Sequence, residues 1–235
     1  IKNLGNHLAK NGIALVLFSS FTQKEKVDRI LQQNLFDFLP LGEKKLEMFE
    51  TLYVYKITPS PIRNALISRG VKNITYHDEG KRGIILKGEW NKNSFIKTHL
   101  APTLDVVVAI KVEHPNSKAE KRIENEVKWL EIANKKNIGP RIYFSGEGYY
   151  VREFVEGVPF PDFVKSHGKN SSIVRHAIID LLNQAYLLDT LHVNKEEMHR
   201  PNTNVYVQKN GQIVLLDFER CFSSKTPHNV TQFCS

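Results

Sequence analysis

"NVYVQKNGQIVLLDFE", residues 204–219, decides how this chain is read. Two short apolar runs, Val205–Val207 and Ile213–Leu216, flank Lys209-Asn210-Gly211. Asn and Gly accept the positive φ of a tight primed turn, so the stretch predicts a β-hairpin. One polar residue opens the first strand, Asn204, and one closes the second, Asp217. An antiparallel hairpin sets those two side by side at one end. Paired side-chain oxygens of that kind suit a hard cation such as Mg²⁺.

Working outward, Ser171 or Ser172 caps a predicted helix that runs to residue 193. "RIYFSGEGYYVREFV" (141–155) predicts another hairpin. Before it, "SKAEKRIENEVKWLEIANKK" (117–136) predicts an amphipathic helix that stops at Gly139-Pro140. Ile123, Val127, Leu130 and Ala133 form its apolar stripe, and Glu124–Lys128 and Glu131–Lys135 are expected to pair outward. Glu126 lies on the stripe itself, where a carboxylate is costly unless something cationic meets it. "RGIILKGEW" (82–90) and "LDVVVAIKVE" (104–113) predict two strands, and Lys111 falls near the end of the second.

The front third predicts a short apolar strand or helix start after residue 12, then an amphipathic helix from Thr22, with Glu25 three residues beyond this cap. "TLYVYKI" (51–57) has strand composition. "SPIRNALISRG" (60–70) predicts a helix with Ser60 as cap, Pro61 in its first turn and Gly70 as its stop. No chemical motif falls in these residues. The element order, strands with a helix and then strands, followed by a helix and a hairpin, predicts an α+β chain in two lobes.

Lys111, Glu126, Asn204 and Asp217 are thus polar residues at the ends of apolar elements or on an apolar stripe. Phosphoryl transfer needs a cation on the nucleotide phosphates, something to hold that cation, and oxygen ligands for Mg²⁺. A strand Lys followed by a helix Glu supplies the first two, and the hairpin supplies the third.

In this order the residues resemble the protein-kinase-like superfamily, and are most similar to the small archaeal atypical kinases related to the RIO kinases and the small kinase of the KEOPS complex. "VAIKV" (108–112) resembles the nucleotide-lysine strand, "ENEVKWLEIANKKNIGPRIY" (124–143) the first-lobe helix and the strand entry after it, "VREFVEG" (151–157) the inter-lobe hinge, and "LLDFE" (215–219) the D-F-G metal motif apart from its third residue. The resemblance implies a two-lobed kinase-like fold with a trimmed second lobe. Residues 76–155 would form the first lobe and 156–235 the second, after an N-terminal α/β extension over 1–75. It implies that Lys111 binds the α/β-phosphates of ATP and pairs with Glu126, and that Asp217 and Asn204 hold Mg²⁺. Backbone around Glu153 to Val155 would receive adenine, and "EGKRGII" (79–85), with Gly80 and Gly83, would cover the phosphates with help from Lys81 or Arg82.

The superfamily's usual catalytic base is harder to place. With "HRP" (199–201) in the His-x-Asp position, Pro201 replaces the acid and the chain is a nucleotide-binding pseudokinase. The archaeal relatives resemble His-Gly-Glu-Leu-Ser-Arg-Pro instead. Against that pattern "KEEMHRP" (195–201) sets Glu197 at the acid, with Asn204 seven residues later. A Glu carboxylate can still orient a hydroxyl and accept its proton. Lys195 replaces His, and is expected to hold Glu197 by charge or to neutralise phosphate. A third reading, a small-molecule phosphotransferase of the aminoglycoside-kinase type, is disfavoured by the few residues after Asp217.

Composition fits an ordinary folded chain, 41% hydrophobic and 25% charged. "GIALVLF" (12–18) is too short to span a membrane, and no small-residue cleavage site follows it. Cys221 and Cys234 make neither a disulfide framework nor a metal pattern. These features predict a cytoplasmic protein without a membrane partner. The net charge of +8 is uneven: residues 1–75 carry 11 Lys/Arg against 6 Asp/Glu, and the remainder 22 against 19. A basic surface favours nucleotide, acidic protein or nucleic acid, but no RNA-binding signature accompanies the charge. The phosphate acceptor is left open between the chain itself, another protein and water. Ser223, Ser224 and Thr226 are candidate hydroxyls.

Overall fold

The computed structural model describes residues 4–47, 49–80, 83–91, 105–114, 122–169, 171–199, 201–202 and 204–235. The chain is mixed α+β with several antiparallel sheets, and it divides into two compact units, Ile1–His114 and Pro115–Ser235.

In the first unit, β1 (Ala14–Ser19) and β2 (Phe36–Lys45) flank β3 (Thr51–Pro59), which is antiparallel to both. Alternation along β3 turns Tyr55 and Ile57 inward, where α1 (Lys24–Gln33) covers them with Val27 and Leu31. Thr22 does not cap α1. Ser19 instead caps a 3-10 turn over Ser20–Thr22 by accepting from the Phe21 N–H at 3.2 Å, which delays the helix to Lys24. The actual N-cap, Gln23, makes no side-chain cap bond.

α2 (Pro61–Ser68) follows the sequence expectation. Ser60 Oγ accepts from the Arg63 N–H at 3.2 Å, Pro61 opens the first turn, and Gly70 takes φ 81° just beyond the end. β4 (Val71–Glu79), β5 (Gly83–Asn91) and β6 (Asp105–Glu113) then pair antiparallel in chain order. The β5–β6 register runs without a break from Gly83↔Glu113 to Asn91↔Asp105 and sets Lys111 opposite Ile85.

The second unit opens on α3 (Arg122–Asn134) and the hairpin β7 (Ile142–Gly146) and β8 (Tyr149–Glu153), both where the sequence placed them. The first residues of the expected helix, 117–121, lie outside the described residues. Lys128 does not meet Glu124; its Nζ sits 4.7 Å over the Trp129 ring. Gly139 takes φ 74°, and a Cβ there would stand 2.6 Å from Leu130 and 3.0 Å from Phe218. Only glycine lets the chain leave α3 so close to the segment that follows Asp217.

β9 (Gly157–Pro159) leads into α4 (Phe160–His167) and the long α5 (Ser172–Thr190), capped by Ser171 through the Val174 N–H at 3.3 Å. Val174, Ala177, Leu181, Ala185 and Leu188 recur at helical spacing, are all at most 1% exposed, and form the spine of this unit's core. Burying each of the larger ones is worth roughly 1.5–3 kcal/mol. After β10 (Val193–Asn194), the hairpin β11 (Val205–Gln208) and β12 (Ile213–Leu215) forms as expected, with β9 on the far side of β11. Its turn is not of the primed kind. Only Gly211 has positive φ, at 84°, and the Gly211 N–H returns to the Gln208 carbonyl at 2.9 Å, so the turn closes on a glycine bulge. β13 (Phe222–Ser223) pairs with β10, and α6 (Asn229–Cys234) packs on α5.

Candidate functional site

The β11–β12 pairing extends one step past the strands, because the Leu216 N–H donates to the Asn204 carbonyl at 2.7 Å. Asn204 and Asp217 therefore sit at the same end of the hairpin, as the sequence predicts. Past Leu216 the chain turns sharply: Asp217 has φ 60°, a left-handed value unusual for a non-glycine residue. Phe218, fully buried, anchors the turn, and Asn125 on α3 donates from Nδ2 to the Glu219 carbonyl at 2.7 Å.

Lys195 follows β10 directly and is only 1% exposed. Its Nζ donates to the Asp217 carbonyl at 2.6 Å and lies 5.3 Å over the Phe218 ring. The hydrogen bond of the amine is thus to the backbone of Asp217, while the Glu197 charge of the sequence expectation acts on it without a bond between the two. Burial pulls the Lys195 pKa below the ordinary lysine value, while the charges of Cys221, Asp217, Glu126 and Glu197 act against that pull. Burial also pushes the Cys221 thiol up to about 12, against the opposing effect of Lys195.

Glu197, with φ 67°, is the second left-handed residue of the site. Asn204 Nδ2 approaches its Oε2 at 3.4 Å, and Arg220 Nη1 donates to Oε1 at 2.7 Å. The same guanidinium lies 4.0 Å from Glu196. Both members of the Arg220–Glu197 pair remain about half exposed, so solvent screens the bond. Beside Glu197 opens a cleft of about 380 Å³, walled in part by Glu196, His199, Phe222 and His228.

The fold thus brings Lys195, Glu197, Asn204 and Asp217 together in the second unit. Glu126, 3% exposed on α3, faces the buried Tyr150 hydroxyl, whose pKa is driven well above its ordinary value first by burial and then by the Glu126 charge. Lys111 stands on β6 in the first unit, partly buried between Ile110 and Val112. Glu153 donates its N–H to the Arg141 carbonyl at 2.8 Å and accepts from Arg152 on its carbonyl at 3.0 Å, so its backbone polar groups are already engaged. A Cβ on Gly80 would meet nothing within 4 Å, whereas one on Gly83 would stand 2.6 Å from the Val112 carbonyl. Packing against β6 therefore accounts for Gly83. Lys81, Arg82 and Arg200 lie outside the described residues.

The donor set suits magnesium. Asp217 Oδ1 is buried without a hydrogen-bond partner, a lone pair that a cation would satisfy. Among the described residues no three His, Cys, Asp or Glu side chains form a metal cage. Mg²⁺ does not require one, since it is commonly held by one or two carboxylates together with phosphate and water oxygens.

Sequence reasoning passed over three residues that hold this site. Arg220 lies in a charged run with no distinctive spacing. Asn229 is fully buried and joins Lys195, Val193 and Asp189. Asp189 in turn accepts the backbone N–H groups of Asn229 and Val230 at the start of α6. Comparison of the sequence with protein-family models and with curated proteins finds no match. Among the described residues no helix is long and apolar enough to cross a membrane.

Proposed function

We propose that this chain is an atypical kinase of the kinase-like two-lobed kind, transferring the γ-phosphoryl group of ATP to a Ser/Thr hydroxyl of itself or another protein, or to water. The observation that carries the reading is the convergence of Glu197, Asn204 and Asp217, with Glu197 on the wall of an open cleft and Asp217 Oδ1 unsatisfied. Bound together, ATP and Mg²⁺ would supply the phosphoryl group and neutralise the charge that builds on it during transfer. Asp217 and Asn204 would hold the metal, and Lys111, steadied by Glu126, would hold the α/β-phosphates. Lys195 fixes the Asp217 backbone and so aims its carboxylate. Glu197 would orient the acceptor hydroxyl entering from the cleft and take its proton as the oxygen bonds to phosphorus.

One observation favours a second reading, a catalytically weak nucleotide-binding pseudokinase that acts through a partner. Glu197, the proposed base, is already bonded to Arg220 at 2.7 Å. The two readings separate in one experiment: radiolabelled γ-phosphate transfer by the pure protein with Mg²⁺, beside its Glu197→Gln variant. Label on the wild type and none on the variant supports the kinase. ATP binding without label on either protein supports the pseudokinase, and no nucleotide binding at all removes both.

A further inference from the structure

We infer that the first unit carries a separate anion-binding pocket, built for a phosphate or carboxylate head on a compact apolar body. The cavity, about 270 Å³, lies between the turn at Leu8–Lys10, α2 and the start of β4. Among the described residues three cations line it, Lys10, Arg63 and Lys72, and no carboxylate does.

Arg63 is the informative one, at 2% exposure. Its Nη1 donates to the Asn34 carbonyl at 2.8 Å, and Nη1 and Nη2 each reach the Ile74 carbonyl only at 3.4 Å. The guanidinium stacks 4.4 Å over the Phe36 ring. Every acceptor is neutral. A buried guanidinium has five donors, and its charge is costly without an anion to meet it. Burial lowers its pKa to about 10, which leaves it charged at neutral pH.

The Asn34 bond has a structural use, because Asn34 is the C-cap of α1 and a cation suits that end of a helix. That use does not explain why Lys10 and Lys72 face the same cavity without an ion pair. Glu89 stands across the strand pair from Lys72, but Asn73 Nδ2 holds it at 2.8 Å and it does not line the pocket. Gly5 closes the wall: a Cβ there would fall 1.8 Å from Arg63 Nη2, so a larger residue would have to displace the guanidinium. Leu8, Ile67 and Ile74 supply an apolar floor. Three positive groups and no negative one draw an anion, and the floor selects one with a short apolar body.

The probe is phenyl phosphate, titrated calorimetrically into the full chain with phenol as control, with and without saturating Mg·ATP. Phenyl phosphate should bind and phenol should not. The Lys10→Ala/Lys72→Ala double variant, which alters only exposed side chains, should weaken binding at least tenfold with its urea midpoint unchanged. Arg63→Met should weaken it further. Absence of binding at millimolar phenyl phosphate, unchanged affinity in the double variant, or displacement by Mg·ATP would each overturn the assignment. Short single-stranded RNAs with and without a 5′-phosphate separate the sources: preference for the phosphorylated end, lost in the double variant, assigns the head group to RNA. Equal affinity for the two RNAs, with phenyl phosphate still bound, assigns it to a small phosphorylated compound.

Discussion

Asn229→Ala tests the scaffold beneath the candidate site most directly. The Asn229 side chain, with no exposure, accepts the Lys195 N–H at 2.7 Å and donates to the Val193 carbonyl at 2.7 Å and to Asp189 Oδ1 at 2.6 Å. Alanine strands the first two groups in the interior and takes one charge-assisted bond from Asp189. Each stranded group costs roughly 1–3 kcal/mol, and the contributions overlap because they share one residue. The expected loss is therefore about 3–5 kcal/mol, a large fraction of the total for an ordinary domain. Each unit carries one of the chain's 2 tryptophans, Trp90 and Trp129. In a Trp90→Phe background, urea unfolding followed by Trp129 fluorescence reports the second unit alone. A loss below about 1 kcal/mol would refute the reasoning, because the three bonds could not then be holding this loop.

Lys195→Met removes both a buried charge and the donor to the Asp217 carbonyl. These effects oppose, so stability should change by less than about 2 kcal/mol while Mg·ATP affinity falls roughly tenfold; unaltered affinity by calorimetry would deny Lys195 its positioning role. Arg220→Met breaks a half-exposed pair worth at most about 1 kcal/mol, so the melting temperature should barely move. If Arg220 orients Glu197, label transfer should fall, and if it restrains Glu197, transfer should rise; no change in either direction would show that the bond is incidental. Cys221, whose folded pKa is raised to about 12, should resist iodoacetamide at pH 8 while exposed Cys234 reacts. Its contribution to stability is fully present below the unfolded value of 9.0 and is lost as pH rises through about 12. Mass spectrometry showing Cys221 labelled as fast as Cys234 in native protein would contradict its burial.

Legibility in the sequence tracked how local each cause is. The cap and stop of α2, the β7–β8 hairpin and the Ser171 cap of α5 depend on residues within a few positions of one another, and all appeared where composition placed them. The side-by-side placement of Asn204 and Asp217 was readable for the same reason. Two local expectations failed because a competing arrangement was also local: the 3-10 turn ahead of α1, and the bulged glycine in place of a primed turn. What the sequence did not disclose depends on distant partners. β9 and β13 are two or three residues long and exist through pairing with β11 and β10. The amine of Lys195 meets a carbonyl 22 residues away, and Asn229 meets three groups more than 30 residues upstream.

Those distant contacts reach the candidate site through its two left-handed residues. Glu197 and Asp217 sit at φ 67° and 60°, conformations that cost roughly 1–3 kcal/mol each for residues of this kind. Such geometry persists only where its surroundings over-determine it. Here they do: Phe218 is fully buried on one side of Asp217, Lys195 holds its carbonyl, and Asn229 holds Lys195. Relaxing Asp217 into a strand conformation would shift its unsatisfied Oδ1 and release the amine of Lys195 from the Asp217 carbonyl. The strain at these two positions is carried by the packing and hydrogen bonds around them. Glycine would take either conformation without strain, so Glu197→Gly and Asp217→Gly should each keep the backbone while removing the carboxylate, and Mg·ATP binding retained in full by Asp217→Gly would deny that carboxylate its proposed role.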